Sequence, residues 1–104
     1  MQSNDFQSWL VVSFDYGKSD LSDLIKYQQE LEAIINPSGL GEVDGHEVAT
    51  DLSDGTYWIV CSDPIKVFNL IKDSLTQTAL VKIKEVKKRE ANEESYSVIL
   101  SNLR

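Results

Sequence analysis

Apolar positions change period several times along the chain, and each change marks an element. Ser8 to Tyr16, SWLVVSFDY, is dense in β-branched and aromatic residues and predicts a buried strand. Its alternation places Leu10, Val12, Phe14 and Tyr16 on one side and Trp9, Val11 and Ser13 on the other. Gly17-Lys18-Ser19 breaks the strand, and Ser19 or Asp20 then offers a side-chain oxygen to cap a helix. From Leu21 to Ile35 the apolar residues Leu21, Leu24, Ile25, Leu31, Ile34 and Ile35 form one helical stripe. Asn36-Pro37-Ser38-Gly39 ends it, because proline cannot continue a helix and glycine takes the left-handed turn beyond one.

The next run, Gly41 to Asp51, predicts a weaker, polar strand in which Gly45 signals a bulge or an edge position. Asp51-Leu52-Ser53-Asp54-Gly55 is expected as a hairpin loop, with Asp54-Gly55 supplying the positive φ. Thr56 to Cys61 is a second central strand, with Tyr57, Ile59 and Cys61 on one side and Thr56, Trp58 and Val60 on the other. Asp63 followed by Pro64 reads as an N-cap and first helical residue. Ile65, Phe68, Ile71 and Leu75 then recur at helical spacing, with Val67 beside them. Ala79 to Lys88 and Tyr96 to Leu100 complete the pattern as two strands around a polar turn.

The order β-α-β-β-α-β, with one more strand at the end, predicts an α+β ferredoxin-like sandwich. Both helices should cover one face of an antiparallel sheet whose spatial order is 5-4-1-3-2. At 104 residues the whole chain, 1–104, is expected to form a single domain.

Charge adds a second layer. Residues 1–78 hold 13 acids and 4 bases, a net of −9, while residues 79–104 hold 4 acids and 6 bases, a net of +2. A negative body repels phosphate backbones, so nucleic-acid binding is disfavoured. No apolar run reaches the roughly 20 residues of a membrane helix, and the first five residues lack the basic start of a signal peptide. With Cys61 as sole cysteine, neither an internal disulfide nor a cysteine-cluster metal site is possible. A cytoplasmic location is the expectation.

The run Gly41-Glu42-Val43-Asp44-Gly45-His46-Glu47 carries a resemblance. Followed by Asp54-Gly55-Thr56-Tyr57 and by Ser62-Asp63-Pro64 opening a helix, it resembles a family of small bacterial ferredoxin-like proteins with a G-E-x-D-G-x-E strand. The resemblance covers roughly residues 41–75 and implies the same fold. That family has no established activity, so it implies no catalytic residue.

Candidate chemistry is sparse. Strict alternation would put Glu42, Asp44 and His46 on one strand face, where two carboxylates and an imidazole suit a divalent ion. A small-ligand or metal-binding domain built on strand 42–47 is therefore the alternative reading. The competing role is a charged edge strand that resists aggregation. His46 and Cys61 are the sole imidazole and thiol, and a helix N-terminus beside Cys61 would lower its pKa. A small buried hydrophobe is the commoner fate of such a cysteine. Asp15 and Asp44 are conceivable paired carboxylates, although nothing in their spacing selects them. There is no GxSxG, phosphate-binding glycine loop or HExxH, so no catalytic residues are assigned, no cofactor is implied and enzyme function is not expected.

The sheet face away from the helices is the stronger lead. It gathers Trp9, Val11, Trp58 and Val60, an apolar group that suits a homodimer or protein-partner interface. Covering of these residues by the last strands or the amino terminus is the structural alternative. Lys82 and Lys84 are placed to flank the face, as in base-stacking RNA modules, but an acid occupies the position where those modules carry a base. The expected function is a non-enzymatic interaction module. One specific version is an acidic inhibitor or immunity-type protein that neutralises a basic partner.

Overall fold

The computed structural model describes residues 6–101. Five strands and two helices follow the expected order: β1 (Ser8–Asp15), α1 (Ser22–Ile35), β2 (Gly41–Val48), β3 (Asp54–Cys61), α2 (Pro64–Gln77), β4 (Lys82–Arg89) and β5 (Ser97–Ser101). They form one antiparallel sheet of order β2-β3-β1-β4-β5, with both helices packed on one face. The α+β sandwich and its strand order are thus as the pattern predicts.

Burial explains why the helices choose that face. Leu10, Val12 and Phe14 of β1 and Tyr57, Ile59 and Cys61 of β3 are fully buried, and they meet Leu24, Tyr27, Leu31 and Ile35 of α1. Val67, Ile71 and Leu75 of α2 close the other half of the core. Each such aliphatic side chain contributes about 1.5–3 kcal/mol by leaving water. Two details of the helical stripes differ from expectation. Tyr27 is wholly buried, while Ile25 and Ile65 are 42% and 39% exposed. The inward spacing is Leu24, Tyr27, Leu31, Ile35, which follows the helix period more closely than the aliphatic residues alone.

A polar chain ties the helices together: the Tyr27 hydroxyl lies 2.9 Å from Ser74 Oγ, which in turn donates to Glu30 at 3.1 Å. Asp63 caps α2 as expected, accepting from the backbone N–H of Ile65 at 3.1 Å and of Lys66 at 3.2 Å. Asp20 acts one residue outside the expected position, because Leu21 is the N-cap of α1 and makes no side-chain bond. Its carboxylate instead accepts from the Ser22 N–H at 3.0 Å, forming a turn ahead of the helix.

The β2–β3 loop corrects another expectation. β3 already includes Asp54 and Gly55, and the residue with positive φ is Leu52, at 61°. Gly55 serves a different need, since a Cβ there would lie 2.5 Å from the Glu47 carbonyl oxygen and 2.7 Å from the Phe14 ring. Only a hydrogen fits between strand and ring.

Candidate functional site

Register defines the open face rung by rung. The first rung runs Glu42, Val60, Trp9, Arg89 across β2, β3, β1 and β4. The second runs Gly45, Trp58, Val11, Lys87 and continues to Val98 of β5. The third runs Glu47, Thr56, Ser13, Glu85, Ser101. Trp9, Val11, Trp58 and Val60 therefore share this face, as their alternation predicts. The two indoles meet edge to face with ring centroids 6.0 Å apart, an arrangement that aligns a positive ring edge with a negative ring face. Val11 is only 4% exposed although it lies on the side away from the helical core, flanked in register by Trp58 and Lys87. β4 and β5 widen the sheet alongside the face.

Charge is segregated across this apolar centre. The β2 side carries Glu42, the exposed Asp44 and Glu47; the β4 side carries Lys84, Lys87 and Arg89 beside the carboxylate of Glu85. Lys84 reaches Asp15 at 3.5 Å and Asp54 at 3.8 Å, so it turns toward the open face at one end of the central strands. Lys87 and Arg89 both lie over the Tyr96 ring, at 6.0 Å and 5.6 Å from its centroid. Tyr96 and Val98, 38% and 52% exposed, extend the apolar surface beyond β4. Sequence periodicity missed this aromatic–basic cluster because Tyr96 sits in the turn before β5. The β4–β5 hairpin folds it back onto lysine and arginine.

No family model, curated protein or solved structure matches the chain. The site must therefore be read from its own chemistry.

The other candidates fare differently. A bulge between Val43 and Gly45 shifts the register of β2, and Gly45 adopts a φ of 139° that a residue with a Cβ rarely takes. Glu42 then stands opposite Val60, on the open face, and His46 opposite Tyr57, on the helical face. The Glu42, Asp44 and His46 set does not converge. His46 Nδ1 instead sits 2.6 Å from Gln28 Oε1 of α1. Among the described residues no group of three or more His, Cys, Asp or Glu side chains is placed to hold a metal ion.

Cys61 is fully buried. Burial above all, then the Asp63 and Glu90 carboxylates, push its thiol up to about 12, opposite to the lowering that a helix N-terminus would give. Its environment thus favours the protonated thiol at neutral pH. Asp15 pairs in register with Asp54 and not with Asp44, and Lys84 bridges the two. A separate cleft of about 360 Å³ opens between Tyr16, Leu75, Val81 and Ile83, rimmed by Lys18 and Lys82. Asp15, Thr76 and Thr78 also line it, and no histidine or cysteine does. Among the described residues no helix is long and apolar enough to cross a membrane.

Proposed function

We propose that this protein is a non-enzymatic interaction module that docks a protein partner through its open sheet face. The observation that carries the reading is the Trp9–Trp58 edge pair, set with Val60 on the side of the sheet opposite both helices. Tryptophan supplies large contact area at little conformational cost, which suits it to anchor an interface. Polar and charged side chains surround the indoles, giving the apolar centre and charged rim of a protein–protein contact. The Trp58 indole N–H itself is buried and meets no hydrogen-bond acceptor among the described residues.

Photo-crosslinking in the producing cells tests the reading. A photoreactive residue at Thr56 or Val98 should give an adduct of one defined mass, lost when Trp58→Ala is added. The same probe at Lys72, on the outer side of α2, should give none. Adducts from Lys72 alone, or no adduct from the open face, would overturn the proposal.

A further inference from the structure

We infer that the cleft at the end of α2 is a binding site for a free α-amino acid with an apolar side chain. It is a second site, bordered by the helical layer, and it does not depend on docking at the open sheet face. Its floor is where the core is left unsealed. Every other member of the core between sheet and helices is 0% exposed, whereas Leu75, Val81 and Ile83 retain 3%, 5% and 4%. These three line the cleft, with Tyr16 beside them. An apolar group laid on them would complete the closure and remove that surface from water. The cleft's volume of about 360 Å³ is the share of roughly a dozen liquid waters, and phenylalanine has about a dozen non-hydrogen atoms.

The rim selects a zwitterion. Asp15, Lys18 and Lys82 are the charged residues that line the cleft. Asp15 is approached by Lys84 at 3.5 Å, and Lys18 is held by Asp23 at 2.6 Å. Lys82 is exposed and has no ion pair or hydrogen bond among the described residues, and its flexible stem can carry the ammonium over the mouth. Thr78 Oγ1 accepts from the Leu80 N–H at 3.1 Å, which leaves its own O–H to donate. These two donors suit a carboxylate. The end of α2 asks for the opposite charge. Its last bond runs from the Thr78 N–H to the Ser74 carbonyl oxygen at 2.9 Å, so the carbonyls of Leu75, Thr76 and Gln77 lie past the ladder. None of the three accepts a bond from another described residue, and no basic side chain in the last turn offsets the negative end of the helix dipole. Leu75 and Thr76 line the cleft, so these acceptors border it. The helix end would repel a lone carboxylate, and Lys82 would repel a lone ammonium. A molecule with both charges beside an apolar group answers all three surfaces.

Titration of the isotope-labelled full chain with L-phenylalanine, followed by backbone amide shifts, tests the inference. Saturable shifts at millimolar or lower concentration should cluster at Tyr16, Lys18 and residues 75–83. Phenylpropionate lacks the ammonium and phenethylamine lacks the carboxylate, and each should bind at least about tenfold more weakly. Glycine, with no apolar group, should not saturate. Lys82→Ala removes an exposed side chain and leaves the core intact. It should weaken phenylalanine at least about fivefold without weakening phenethylamine, since only a carboxylate uses that lysine. Shifts that never saturate, or that fall outside the cleft, overturn the inference. So does an analogue lacking one charge that binds as tightly as phenylalanine, or a Lys82→Ala variant that binds phenylalanine unchanged.

Discussion

The Tyr57 hydroxyl donates a 2.7 Å hydrogen bond to the Leu24 carbonyl oxygen, joining the middle of β3 to the first turn of α1 inside the core. The same ring stacks on Phe14, with centroids 4.7 Å apart, and meets Tyr27 edge to face at 5.8 Å. One side chain therefore couples two strands and a helix.

Removing the hydroxyl should separate these contributions. Tyr57→Phe keeps the ring contacts and loses one buried hydrogen bond, so urea unfolding should show a loss of about 1 kcal/mol. Tyr57→Ala should cost about 3–5 kcal/mol, as expected when a large aromatic leaves a cavity. Equal losses in the two variants would mean that the hydrogen bond, not the ring, carries the coupling.

Alkaline pH should destabilise the fold steeply. Burial raises the Tyr27 phenol to about 12 and pushes that of Tyr57 up further. The native state then retains protons that the unfolded chain releases near pH 10, so the stability these groups contribute is full below that pH. It declines between about pH 10 and 12 by up to about 1.4 kcal/mol per pH unit for each phenol. Urea midpoints measured across this range should fall, and Tyr27→Phe should make the fall about a third less steep, since the buried Cys61 thiol, also pushed up to about 12, contributes in the same way.

These tyrosines also show what a linear reading can and cannot recover. The alternation of SWLVVSFDY assigned both faces of β1 correctly, because a strand's period of two survives any twist of the sheet. Asp63-Pro64 marked the start of α2 because capping is local chemistry. The α1 stripe was read from aliphatic residues, and so it omitted Tyr27 and included the exposed Ile25. The 42–47 cluster failed for another reason. A bulge shifts every later residue to the other face, and Gly45 signals that one exists without saying which side His46 will take. The open-face tryptophans were legible; the lysine and arginine over Tyr96 were not, since they depend on how a turn closes.

Gly55→Ala should be among the most damaging small substitutions. The added methyl would press on the Glu47 carbonyl oxygen and the Phe14 ring together, one fixed by the β2–β3 ladder and the other by the core. A loss of about 2–3 kcal/mol is expected by thermal or urea unfolding, in the upper range for overpacking. A neutral result would show that the two strands can move apart at this rung.

Leu52→Asn should stabilise the protein. Leu52 occupies the left-handed region at φ 61°, where a leucine Cβ is strained and asparagine is tolerated. Its carbonyl oxygen accepts from Gly17 N–H at 2.6 Å, and the neighbouring Ser53 carbonyl accepts from Tyr16 N–H at 2.8 Å, so the loop is held in place and relief of strain is not lost to rearrangement. A gain of about 0.5–1 kcal/mol is expected. An unchanged melting temperature would argue that the half-buried leucine side chain offsets its own strain.

The irregularities in the two outermost strands have a consequence for the crowded state in which the chain is made. β2 is interrupted at Asp44–Gly45, and the β4–β5 register slips at Ile99, within a strand of only five residues. A neighbouring chain offered to either rim would fall out of step after a few backbone pairs, before a continuous ladder could form. Growth of the sheet sideways is thus self-terminating at five strands. Both rims of the sheet thus discourage backbone pairing with another chain, in a sequence of which 41% is hydrophobic.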